Sequence, residues 1–284
     1  MAQSNSHPAD VKRQAEQTAR RAVNHPWFVA LARFGYAAKG VVYLLAGLLT
    51  ARAAFGLGGR ATDKRAALQT ILAEPFGRFA LVLIGVGLIG YVLLRFVQAL
   101  LDPERKGSDA KGLAIRAGYL LSALGYGGLA LTALRLALGA SAGAGAGQQG
   151  LVARVFALPL GRWLIGLVGL AVVGAGLWQI YRGWTADFSE HLRWGEMGAT
   201  ERTWATRLGR VGLAARGVVW AAAGGFLIQA ALLLDPGRVQ DSGGALQALA
   251  GLLGPWAVGV VALGLAAYGV YMLAAAKYGR IVTR

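Results

Sequence analysis

The chain has 284 residues, of which 56% are hydrophobic and 15% charged, with mean hydropathy +0.51, no cysteine and a formal net charge of +16. A soluble domain carries about a quarter charged residues, so the composition excludes an ordinary globular protein. The lack of thiols excludes disulfides, thiolate metal sites and cysteine nucleophiles. The 43 glycines are about twice ordinary usage and suit backbones that approach closely in lipid.

The first 24 residues are polar, so no secretory leader is expected and insertion should fall to the first spanning segment. Val11, Ala15, Ala19 and Ala22 recur at helical spacing, with Lys12, Arg13, Arg20 and Arg21 on other faces. Residues 1–31 are therefore read as a cytoplasmic amphipathic segment lying on anionic lipid. Six apolar stretches follow, at about 34–55, 79–101, 117–139, 163–181, 211–234 and 255–276. Each is long enough to cross ~30 Å of hydrocarbon at 1.5 Å per residue. Arg33, Arg116 and Arg210 open the odd-numbered stretches, and Arg52, Arg135 and Gln229 stand 19 residues further on. Arg33, Arg52, Arg116, Arg135 and Arg210 thus read as anchors that bracket the bilayer.

The pattern recurs three times. Arg33-Phe34-Gly35-Tyr36, Arg116-Ala117-Gly118-Tyr119 and Arg210-Val211-Gly212-Leu213 each begin a two-span unit. The second span of each unit opens at Pro75-Phe76-Gly77-Arg78-Phe79, Pro159-Leu160-Gly161-Arg162-Trp163 or Gly254-Pro255-Trp256. A short interfacial helix is predicted before each of these turns, near 66–73, 151–157 and 245–253. Ser141–Gly147 reads as a Gly/Ala spacer. The predicted organisation is a repeat over 32–106, a second over 107–184, a cytoplasmic interfacial loop over 185–208 and a third repeat over 209–281. The interfacial assignment of that loop rests on Trp184, Phe188, Trp194, Met197 and Trp204 among charges. Two spans per repeat insert every copy in the same direction. The fold class is therefore all-α, a polytopic membrane protein of six transmembrane helices, with the repeats in pseudo-threefold relation about the membrane normal.

Of the 29 Lys and Arg residues, 17 fall on the amino-terminal side, nine on the opposite side and three (Lys39, Arg95 and Arg216) inside spans. This bias places both termini in the cytoplasm. It also accounts for most of the basic excess as topology, which argues against a nucleic-acid partner. The expected partners are anionic headgroups at the cytoplasmic face, with a second copy or another membrane protein as further candidates.

The three copies of Arg-x-Gly-[Tyr/Leu] with their Pro-x-Gly-Arg-aromatic turns resemble the bacterial membrane family known as domain of unknown function 1206 over about residues 32–281. The resemblance implies a six-span inner-membrane protein and brings no activity with it. This chain departs from the pattern in two places. The second copy has Ser122 where the others have Lys39 and Arg216, and the third lacks the Pro-x-Gly-Arg order.

Lys39 and Arg216 occupy the same repeat position, ~9 Å below the cytoplasmic arginine. Tyr43 and Trp220 stand one turn on, within cation–π reach. An intramembrane charge suggests a functional site; the competing reading is that both side chains snorkel to the cytoplasmic interface. Arg95, Gln98, Gln179 and Arg182 lie in the inner halves of even-numbered spans. Gln179 matches Arg95 in register, but Met272 stands in the third copy, so no symmetric polar ring forms. The favoured reading there is interhelical hydrogen bonding.

No Asp or Glu falls inside the apolar stretches, which weighs against a proton- or cation-coupled carrier. His7, His25 and His191 lie outside them. Asp187-x-x-Glu190-His191 has metal-ligand elements but reads as a solvated loop. Gly85-Val86-Gly87 is a packing notch and not a nucleotide loop. A non-enzymatic role with no cofactor and no metal is expected. The first functional reading is a structural or ligand- and lipid-binding membrane protein, with Lys39, Arg216, Tyr43, Trp220, Arg95 and Gln179 as candidate ligand-binding residues. The alternative is a small permease or channel with an anion-selective basic constriction. On this topology, green fluorescent protein fused after Arg284 should fluoresce and alkaline phosphatase fused there should be inactive. Phosphatase inserted at Asp241 should be active, and the reverse pattern in these reporter assays overturns the orientation.

Overall fold

The computed structural model describes residues 25–58, 63–102, 107, 109–140, 148–185, 192–239 and 242–279. The amphipathic stretch near 11–22, the spacer Ser141–Gly147 and the Asp187-x-x-Glu190-His191 group lie outside the described residues. Six helices are long and apolar enough to cross a membrane: α1 (Pro26–Ala54), α3 (Gly77–Leu101), α4 (Ala110–Ala137), α6 (Gly161–Thr185), α7 (Ala199–Leu233) and α9 (Pro255–Tyr278). Three short helices sit between the two spans of each repeat: α2 (Lys64–Ala73), α5 (Gln148–Phe156) and α8 (Ser242–Leu253). The sequence places all three within a few residues of these bounds. The protein is an all-α, six-span membrane protein.

The repeated turns form for a common reason. At Gly77 an added Cβ would meet the Ile71 carbonyl oxygen, and at Gly161 it would meet that of Val155, so both Pro-x-Gly turns demand glycine. In the third copy Gly254 takes φ 85°, and Pro255 opens α9. Asp63 caps α2 by accepting from the Ala66 amide at 2.7 Å.

Two expected boundaries move. Helix α1 starts at Pro26, so the last residues of the predicted N-terminal segment already belong to the span. The predicted loop 185–208 ends early, because α7 begins at Ala199 and runs unbroken for 35 residues. Glu201 accepts from the Gly198 amide at 3.0 Å and starts the helix there. Of the residues that suggested a loop, Trp204 lies in this helix, whereas Trp194 and Met197 lie in the short segment before it; Tyr278 donates to Glu201 in the first turn at 2.7 Å.

Glycine notches set the packing. Added Cβ atoms at Gly40 and Gly47 of α1 would meet α9 backbone at 2.8 Å (Gly269) and 2.5 Å (Ala266). The matched residues Gly217 and Gly224 of α7 meet α6 backbone in the same way, at 2.5 Å (Gly176) and 2.7 Å (Val173). The equivalent junction of α3 with α4 uses Gly85 against Leu134 and Ala130. Every even span thus packs on the odd span of the next repeat, and α9 returns to α1. Within repeats, α1 packs on α3 and α7 on α9, but α4 and α6 make almost no contact. The inter-repeat junctions thus recur from one repeat to the next, while the second hairpin stands open.

Gly217→Leu should drive the α6 and α7 backbones apart and cost ~1–3 kcal/mol or more. Gly125→Leu, where an added Cβ has nothing within 4 Å, should leave stability unchanged. Thermal unfolding in detergent checks the pair.

Candidate functional site

The polar residues of the spans gather where α1, α3, α4, α7 and α9 meet. Lys39 leads the cluster. It is 2% exposed, and its Nζ donates to Tyr91 Oη at 2.9 Å. That ammonium lies 4.5, 4.9 and 5.5 Å from the ring centroids of Tyr91, Tyr126 and Tyr268. Snorkelling is thus replaced by a cross-helix tyrosine cage. A cation taken out of water needs such partners, and desolvated cation–π contacts are worth ~2 kcal/mol each.

Arg216 mirrors Lys39. Its Nη1 donates to Tyr268 Oη at 3.2 Å. The guanidinium lies 4.7 Å from the Trp220 ring, 5.1 Å from Tyr268 and 5.9 Å from Tyr43. Lys39 precedes Tyr91 by 52 residues, and Arg216 precedes Tyr268 by 52. The same cation-to-tyrosine bond is therefore built in the first and third repeats. In the second, Ser122 and Ala175 stand at the matched positions and supply neither partner.

Tyr91 ties in a third cation. Arg95 Nε donates to Tyr91 Oη at 2.8 Å, and Arg95 Nη1 donates to Gln98 at 2.8 Å. The Arg95 guanidinium also lies 4.9 Å from the Tyr119 ring. Tyr126 donates to Tyr43 at 3.0 Å. Lys64, at the start of α2, lies 4.7 Å from Tyr43 and 5.5 Å from Tyr126. Four cations are thereby joined through shared tyrosines, packed edge to face at 5.4 Å (Tyr36–Tyr91), 4.9 Å (Tyr91–Tyr126) and 4.9 Å (Tyr43–Tyr268).

A cavity of about 20 Å³ opens beside Tyr43, Asp63, Lys64, Arg216 and Trp220, with room for about one water molecule. Arg216 Nε is buried there without a hydrogen-bond partner. Asp63 is the carboxylate on this lining, and its Oδ1 is used in capping α2.

Of the six residues expected to bind ligand, the structure brings together Lys39, Arg216, Tyr43, Trp220 and Arg95. The expected pairing of Lys39 with Tyr43 is corrected: Tyr43 faces Arg216 and Lys64, and Lys39 reaches Tyr91. Gln179 stays apart, because α6 lies away from α4; its Nε2 donates to the Ala175 carbonyl of its own helix at 3.3 Å. Among the expected anchors, Arg116 donates to the Ala99 and Leu100 carbonyls at 2.8 and 3.1 Å and so caps the end of α3. Arg52, Arg135 and Arg210 are exposed, and Arg33 is half-buried with its Nε unpartnered. Sequence reasoning missed Lys64, Tyr91, Tyr126 and Tyr268. For Tyr91 and Tyr268 the signal was present, as a tyrosine at the same distance after each intramembrane cation.

The family described as Domain of Unknown Function (DUF1206) matches residues 34–102, 117–186 and 211–279, one copy per repeat. The chain belongs to this family. The uncharacterized protein YxxB of Bacillus subtilis (strain 168) is 37% identical over 249 residues, covering 87% of this chain and 90% of that protein. No solved structure matches. In this member of the DUF1206 family the matched segments begin just after the arginines that open each repeat.

Because Tyr91 Oη accepts from both Lys39 and Arg95, the hydroxyl matters more than either cation. Tyr91→Phe should cost ~1–3 kcal/mol by leaving two charged donors unpaired. Lys39→Met, which removes a buried charge at similar volume, should cost less or stabilise. Thermal unfolding of both variants in one detergent gives the order, and a larger loss in Lys39→Met contradicts it.

Proposed function

We propose that the protein is a non-catalytic ligand-binding protein of the bacterial inner membrane, with both termini cytoplasmic, and that one oxygen of an anionic group enters the small cavity beside Arg216 and Lys64, with Lys39 behind them. The observation that carries this reading is Arg216. Its Nε–H is buried without an acceptor beside a cavity whose other cation is Lys64, and a buried donor left unpaired costs ~1–3 kcal/mol. An oxyanion supplies the missing acceptor and offsets the cost of gathering several cations in a medium of low dielectric. A guanidinium suits carboxylate or phosphate oxygens, which it binds as a planar fork. Trp220 and Tyr43 hold the fork in place by their ring faces.

A second reading, an anion permease, draws on the linkage of Arg95 through Tyr91 and Lys39 to the tyrosines that contact Lys64. It differs from binding alone by anion flux into vesicles.

The binding reading is tested with delipidated protein in neutral detergent and sn-glycerol 3-phosphate as probe, against chloride at equal ionic strength. The wild type should show a saturable rise in melting temperature, equivalent to ~2.7 kcal/mol at a hundredfold excess over Kd. Arg216→Gln and Lys64→Gln, each folded as shown by circular dichroism, should lose the rise. An equal rise in both variants removes the site.

A further inference from the structure

The second hairpin is open for reasons written at four matched positions. In the first repeat the hairpin closes where an added Cβ at Gly35 would meet the Tyr91 amide at 2.5 Å and one at Gly87 would meet Ala38 Cβ at 2.7 Å. In the third, Gly212 meets Tyr268 Cα at 2.5 Å and Gly264 meets Ala215 Cβ at 2.4 Å by the same construction. The second repeat keeps the first notch as Gly118, but Leu121 replaces the nesting alanine and Ala171 replaces the receiving glycine. A leucine cannot enter a notch that an alanine methyl already fills, so α4 and α6 cannot dock in this register. Leu121 is 69% exposed, and Gly118, Gly125 and Gly128 have nothing within 4 Å of an added Cβ. The cation and the tyrosine that the other hairpins bury are also gone, as Ser122 and Ala175.

The opening adjoins the cation cluster. Tyr126 stands one turn on from Ser122 on the same helix; its ring carries Lys39 and Lys64, and its hydroxyl bonds to Tyr43. Lys64 of α2 and Leu246 of α8 also line the cavity. Between α4 and α6, a molecule already in the bilayer meets open space at Gly118, Gly125 and Gly128. The gap is apolar and the site behind it basic, so the occupant that complements both has an acyl chain and an anionic head.

We infer that α4 and α6 frame a lateral portal, and that the anion bound at Arg216 and Lys64 is the phosphate-bearing head of an anionic lipid whose acyl chain lies in that portal. This rests on the anion-binding reading above and adds the route and the ligand class to it. The closing experiment compares retention of dioleoyl phosphatidylglycerol and dioleoyl phosphatidylcholine by native mass spectrometry, beside the glycerol phosphate melting shift. The wild type should retain phosphatidylglycerol at least tenfold over phosphatidylcholine. Gly125→Trp fills the portal at a position with open space, so it should lose that preference while keeping the glycerol phosphate shift; Gly125→Ser should behave as wild type. Retention of phosphatidylglycerol by Gly125→Trp at the wild-type level overturns the portal. A wild type that shifts with glycerol phosphate but shows no lipid preference overturns the lipid assignment alone. A wild type with neither response removes the underlying anion site as well.

Discussion

Close approach of helix backbones at glycine is the constraint on which the rest of this structure depends. In lipid there is no hydrophobic gain from pressing apolar helices together, so association relies on dispersion contacts that need small residues at the seam. Here the notches recur at matched positions of successive repeats, as Gly40 with Gly269 and Gly217 with Gly176. Because the notches fix the rotation of each helix, they also fix which side chains face inward. Lys39 and Arg216 sit beside glycines of these seams, and the seams turn both cations toward the tyrosines of the even spans.

Tyrosine is the compensating partner throughout. One carboxylate, Asp63, reaches the cavity lining, but the hydroxyls and ring faces of Tyr43, Tyr91, Tyr126 and Tyr268 are the main partners of the cations. Such partners accept hydrogen bonds and present negative ring faces without cancelling formal charge. The interior is held together and still carries a positive field that can act on an anion. The same choice explains the lack of acidic residues in the apolar stretches, which a purely structural ion-pair network would require.

The second repeat shows what divergence does to such a unit. Its junctions with neighbouring repeats persist, through α3 with α4 and α6 with α7, so the copy still holds its place in the bundle. Its internal junction is lost together with its cation and its tyrosine. Those losses occur on one face of one hairpin, which ties the opening of the bundle to the composition of the cation cluster.

Much of this was legible in the sequence, because hydropathy, charge and repeat spacing are local properties of a chain inserted in lipid. The six spans, the three copies, the short helices before each turn and the cations at Lys39 and Arg216 follow from runs of residues and their periods alone. The capped start of α7 was hidden because a helix that extends beyond the apolar core carries the same aromatic and charged residues as an interfacial loop. The cross-helix bonds of Lys39 to Tyr91 and of Tyr126 to Tyr43, the arrival of Lys64 from outside the spans, and the exclusion of Gln179 were decided only by tertiary structure. Each depends on the rotation and separation of neighbouring helices, which single notch residues such as Gly87 or Ala171 control and which no one-dimensional periodicity records.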